Sequence, residues 1–127
     1  MRIDPASDRS MLDTLRARAS GSARRGPWLK LLSDVLTLAG PQAELLRHGE
    51  RPWSSATFSG SRHSIALSFT GERAVDAGEA LIASLPDHEF AIPGHLVADA
   101  TITGVDHENG PEPRMTVEAE LLLLEEG

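Results

Sequence analysis

Between Trp28 and Leu38 the chain is apolar on nearly every side of a would-be helix, with Trp28, Leu29, Leu31, Leu32, Val35, Leu36 and Leu38. A helix of this kind must be covered on more than one face, so it predicts either the centre of the fold or an interface between copies. Pro27 suits the first helical position, and Gly40 followed by Pro41 ends the run. Upstream, Met11, Leu12 and Leu15 form a single stripe that Ser7 or Asp8 can cap, which predicts an earlier helix ending near Ala19. The stretch "SGSARRG", Ser20 to Gly26, is small and polar and reads as a linker. Residues 1–26 are therefore expected to be a helix with a flexible basic linker, and 27–127 one α+β domain. "QAELLRH" fits a short additional turn of helix before Gly49.

From Trp53 the apolar period changes from helical to two. Ser54, Ala56 and Phe58 alternate with polar residues, and Ile65, Leu67 and Phe69 do so after "SGSR". Gly60-Ser61 fits a two-residue hairpin turn, which would set Phe58 opposite His63, Ala56 opposite Ile65 and Ser54 opposite Leu67. "ERAVDAGEALIASL" then predicts a helix with Val75, Gly78, Leu81, Ile82 and Leu85 as its buried stripe. Its small residues Ala74, Ala77 and Gly78 allow a close approach to a sheet, and Pro86 ends it. A second hairpin follows. Leu96, Ala98, Ala100 and Ile102 alternate on one strand, and Met115, Val117, Ala119, Leu121 and Leu123 on the other. Pairing Ile102 with Val117 puts all of these on one face. The expected fold is α+β: a four-stranded, mostly antiparallel sheet made of two hairpins joined by a helix, with the N-terminal helices packed on it.

Composition narrows the function classes. A chain of 127 residues with 40% hydrophobic content can bury a core without staples. It has no cysteine, which removes disulfides and thiolate metal sites from consideration and suits a reducing cytosol. No run is long enough to span a bilayer, so a cytoplasmic protein with no membrane partner is expected. The charge is uneven. Thr14 to Lys30 holds Arg16, Arg18, Arg24, Arg25 and Lys30 with no acid, whereas from Leu31 onward five arginines face sixteen acids. Such an acidic body repels phosphates and argues against nucleic acid as a partner. The basic stretch is expected to fold back on the body; gripping an anionic partner is the alternative.

Candidate chemistry concentrates in "DHEFAIPGHLVAD", Asp87 to Asp99. A metal ion needs three or four ligands at about 2–2.2 Å. In an unbroken strand His95 and Asp99 share the outer face but stand roughly 13 Å apart, and no metal-binding motif is present, so neither metal nor cofactor is expected. The register above sets Asp99 opposite Glu120 and Thr101 opposite Glu118. Opposed carboxylates can share a proton, hold a cation or work as an acid-base pair with His95 nearby. Trp53 on an outer strand face, His63 on the core side of the first hairpin and His88 in the preceding loop are the candidate ligand-binding residues. Otherwise this stretch reads as structure: Phe90 and Ile92 tuck into the core, Pro93-Gly94 turns the chain, and His95 starts a strand. Val97, Leu122 and Leu124 cluster on the outer face of the last hairpin, an apolar surface that calls for cover.

The segments "ATFSGSRHSIALSF" and "DHEFAIPGHLVADATI" resemble a group of small bacterial proteins of unknown function. The resemblance implies a stand-alone protein and carries no functional residue with it. "FAIPGH" shares its Pro-Gly with hotdog-fold dehydratases, but the histidine is on the wrong side and the rest of that pattern is missing. The expectation is a non-enzymatic binding or interaction domain, homodimeric, with a protein or small-molecule ligand. A small acid-base enzyme or cation-binding protein built on Asp99 and Glu120 is the alternative.

Overall fold

Four strands carry the described part of the molecule, and their order is not their order in sequence. A computed structural model describes residues 26–126. They form helix α1 (Gly26–Ala39), strands β1 (Glu44–Ser54) and β2 (Ser59–Thr70), helix α2 (Glu72–Ser84), a 3-10 turn (Leu85–Asp87), and strands β3 (His95–Glu108) and β4 (Arg114–Glu125). The sheet runs β1-β2-β4-β3 with every neighbouring pair antiparallel. This is the expected α+β architecture of two hairpins joined by a helix. The earlier helix predicted over 7–19 and the linker to residue 25 lie outside the described residues, and Gly26 already belongs to α1.

Both helices pack on one face of the sheet, which we call inner. Trp28, Leu31, Leu32, Val35 and Ala39 of α1 are buried with Ala74, Val75 and Leu81 of α2 against Ile65, Leu67 and Phe69 of β2 and Met115, Val117, Leu121 and Leu123 of β4. Each fully buried large side chain is worth about 1.5–3 kcal/mol, and the two helices and the two central strands supply that buried surface together. Gly78 lies under Phe69 and Met115, the close helix-sheet contact that the small residues of α2 foreshadow.

The first hairpin departs from expectation. "ELLRH" is not a helical turn but the start of β1. Its residues favour helix, yet a segment this short cannot nucleate one on its own, and pairing with β2 prevails. A bulge at Leu46 hides the alternation: Leu45 and His48 face inward, opposite Leu67 and Ile65, although they are three residues apart. The turn is Ser55–Phe58, not Gly60-Ser61. Ser55 Oγ accepts from the Phe58 N–H at 3.1 Å, and the Ser55 N–H donates to the Phe58 carbonyl at 2.8 Å. Phe58 consequently sits exposed at the tip instead of opposite His63, whose partner is Glu50. Gly60 serves another purpose. A side chain there would collide with the Leu123 carbonyl oxygen, so glycine lets β2 lie against β4.

The second hairpin forms, with a shifted register. Ile102 pairs with Ala119 and Val105 with Val117. Two bulges, at Ala98 and Thr103, break the strict alternation of β3. The first reverses the expected faces on its N-terminal side: Val97 turns inward, while Leu96 and Ala98 are exposed; Ala100 and Ile102 face inward as expected. On β4 the expected core residues Val117 and Ala119 are buried. Before β3, Pro93 and Gly94 form a turn closed by the His95 N–H donating to the Ile92 carbonyl at 3.0 Å. Gly94 has φ 75°, the value required at the third position of a type II turn.

Candidate functional site

Two constellations emerge, one on each face of the sheet. On the inner face, the antiparallel pairing of β1 with β2 brings His48 and His63 together. His48 Nε2 and His63 Nδ1 are 2.9 Å apart, at hydrogen-bond distance. His63 Nε2 is 2.8 Å from Ser61 Oγ. The rings stack, with centroids 5.2 Å apart, and Trp28 of α1 stacks on the far side of His48 at 4.9 Å. His63 is completely buried. Burial, and secondarily the charge that His48 would carry, push its pKa down to about 4; burial also lowers that of His48. Both imidazoles are thus neutral near pH 7. A serine bonded to a histidine that is bonded to a second histidine has the connectivity of a nucleophile, its base and an orienting group. With His63 sealed from solvent, the array satisfies its own buried polar atoms and, through the Trp28 stack, ties α1 to the sheet. No buried side-chain polar atom among the described residues lacks a partner.

On the outer face the strands line up in rows that cross the whole sheet. Trp53, Gly60, Leu124 and Leu96 form one row; Arg51, Arg62, Leu122 and Asp99 the next; then Gly49, Ser64, Glu120 and Thr101; then Arg47, Ala66, Glu118 and Gly104. Arg47 and Glu118 join at 3.0 Å above Ala66, whose methyl group they shield from water. Arg62 and Glu120 join at 3.0 Å and are only partly exposed. Leu122 and Leu124 are largely buried, while Leu96 at the sheet edge is 52% exposed.

This geometry separates the residues singled out from sequence. Asp99 does not face Glu120. The register that pairs Ile102 with Ala119 instead of Val117 places it opposite Leu122, where Thr101 Oγ1 donates to it at 3.2 Å. Glu120 faces Thr101 and Ser64 and pairs with Arg62. The bulge at Ala98 puts His95 and Asp99 on opposite faces; His95 Nδ1 lies 3.1 Å from the Pro93 carbonyl oxygen. His88 is exposed in the loop, edge-on to Phe90 at 4.6 Å. Trp53 ends the apolar row on β1 and is half-buried. Val97, expected beside Leu122 and Leu124, points inward, and Leu96 takes its place. His48 and Ser61 were missed. The signal was the chain of polar groups on an otherwise apolar strand face, which becomes visible only when "ELLRH" is taken as extended. No group of three or more potential metal ligands occurs among the described residues.

No protein-family model and no curated protein matches the chain. One of its structural similarities is to a chain from the virion of a native gene transfer agent (GTA) particle, with a TM-score of 0.53 and 13% identity, covering 84% of this chain and 97% of that one. The likeness is one of fold. It extends over nearly all of the neighbour. No helix among the described residues is long and apolar enough to cross a membrane.

Proposed function

We propose that this chain is a non-enzymatic interaction domain that associates with copies of itself, the homodimer being the smallest such form, and serves as a structural subunit of a multi-subunit particle. The observation that carries this reading is the fold shared with a chain of the gene transfer agent virion over 97% of that chain's length. The surface agrees with it. Among the described residues, four large hydrophobics are exposed: Leu46 on β1, Phe58 at the tip of the β1–β2 hairpin, and Leu96 and Val105 on β3. Three lie on the two edge strands and the fourth where β1 ends, and sheet edges are where one chain most readily recruits another.

Sedimentation velocity of the purified full-length chain over a concentration series tests the proposal. Species heavier than the 13.6 kDa monomer are expected, and their share should grow with concentration. A single monomeric species at every concentration overturns it.

A further inference from the structure

The two outer strands of the sheet carry matching edges. With the order β1-β2-β4-β3 and every neighbour antiparallel, β1 and β3 run in opposite directions. A second copy set beside the first in the same orientation would therefore bring its β1 against the first copy's β3 in the antiparallel sense, with the helices of both on one side. Each outer-face row would continue straight across the junction. Leu96 would meet Trp53, Asp99 would meet Arg51, and Thr101 would meet Gly49. The apolar end of one edge thus falls on the apolar end of the other, and the acid on the cation. Directly opposed residues of unlike charge and paired apolar groups are what stabilise neighbouring strands. Arg51 has particular need of such a partner, because within its own chain it lies opposite another arginine, Arg62, which is already bound to Glu120. Neither Arg51 nor Asp99 has an oppositely charged partner among the described residues.

We propose that copies of this chain join head to tail, the β3 edge of one (Leu96–Gly104) against the β1 edge of the next (Arg47–Trp53), so that the sheet continues from subunit to subunit. This rests on the self-association proposed above and specifies its surface. Pro52 offers no N–H, so main-chain pairing runs over Arg47–Arg51 and the Trp53–Leu96 contact is made by side chains. Such a contact uses two different patches. It therefore leaves one free edge at each end of any open assembly, and it propagates into a closed ring or a filament, unlike a two-fold dimer.

The chain has no cysteine, which makes cross-linking a clean test. The double variant Gly49→Cys/Thr101→Cys places two thiols that oppose each other only across the junction. Within one chain they sit on opposite edges, three strand spacings or about 14 Å apart, beyond disulfide reach. A side chain at Gly49 meets open space, and Thr101 is exposed, so the fold should hold. Under mild oxidation the double variant is expected to give a ladder of dimers, trimers and higher species on a non-reducing gel, and each single variant none. Arg51→Cys/Asp99→Cys should do the same and guards against a local fault at either site. Efficient dimers from Thr101→Cys alone would show a two-fold β3–β3 contact and overturn the head-to-tail arrangement. So would the lack of a ladder from both double variants while sedimentation shows assembly, and that result would leave self-association standing. A chain that sediments only as monomer would remove both.

Discussion

His63 shows what one side chain can impose. It sits where a strand reading would place a hydrophobe, between Ser61 and Ile65 on the inner face, and it is completely buried. Its two nitrogens are satisfied by Ser61 and His48, so it remains neutral inside the core at little cost. Protonating it there is costly, which is why its pKa falls to about 4 from an ordinary value of 6.5. The unfolded chain therefore binds this proton more tightly than the folded one. The stability associated with it is present in full above pH 6.5 and is lost as pH falls toward 4. A shift of this size corresponds to on the order of 3 kcal/mol. Thermal melts of the purified chain between pH 7 and pH 4.5 should show Tm falling. His63→Leu should flatten that dependence while leaving the sheet intact, and an equally steep profile in the variant would mean that other groups set it. His63 was legible from sequence as an inward-facing residue. Its partner was not, because His48 joins it only when a stretch of helix-favouring residues adopts an extended form.

The helices and the strands differ in how plainly the sequence announces them. α1 and α2 fall where Pro27, Gly40 and the 75–78–81 stripe place them, since a helical period of several turns with stop residues at the end admits few alternatives. β4 is equally plain because its alternation is unbroken from Met115 to Leu123. β1 and β3 were misread for different reasons. The first half of β1 reads as a helical turn and Gly60-Ser61 reads as its hairpin turn, whereas in β3 the bulges at Ala98 and Thr103 insert residues that strict counting cannot see. The candidate pair Asp99–Glu120 depended on pairing Ile102 with Val117, and Ile102 pairs with Ala119 instead. Glycine misled at position 60, where it suggested a turn and instead permits close packing of two strands. Gly60→Ala should accordingly destabilise the fold by about 1–3 kcal/mol, measured by urea unfolding. A substitution with no effect would show that β2 and β4 have room to separate there.

At the scale of the whole molecule, the sheet is finished on its inner side and unfinished at its margins. The helices seal one face, and ion pairs above Ala66 and beside Leu122 dress the other, so that among the described residues the exposed large hydrophobics stand at the edge strands and the β1–β2 tip. If edges are the meeting surfaces, charge governs the fit. Arg51→Glu would set two acids against each other at the junction and should weaken self-association by about tenfold, or 1.4 kcal/mol. Combining Arg51→Asp with Asp99→Arg in one chain should restore it. Sedimentation of the three proteins at equal concentration provides the comparison, and no recovery in the double variant would rule out this contact. None of this was legible in the sequence alone, because strand order, which decides what lies at an edge, depends on where the α2 crossover delivers β3.

The bulge at Ala98 gives β3 one residue of slack. Val97 and Asp99 already pair with the neighbouring residues Leu123 and Leu122, so removing Ala98 would close the ladder and leave every side chain on its present face. What such a deletion would take away is the local bend and extra twist that a bulge gives its strand, so the margin would keep its residues and change only its line.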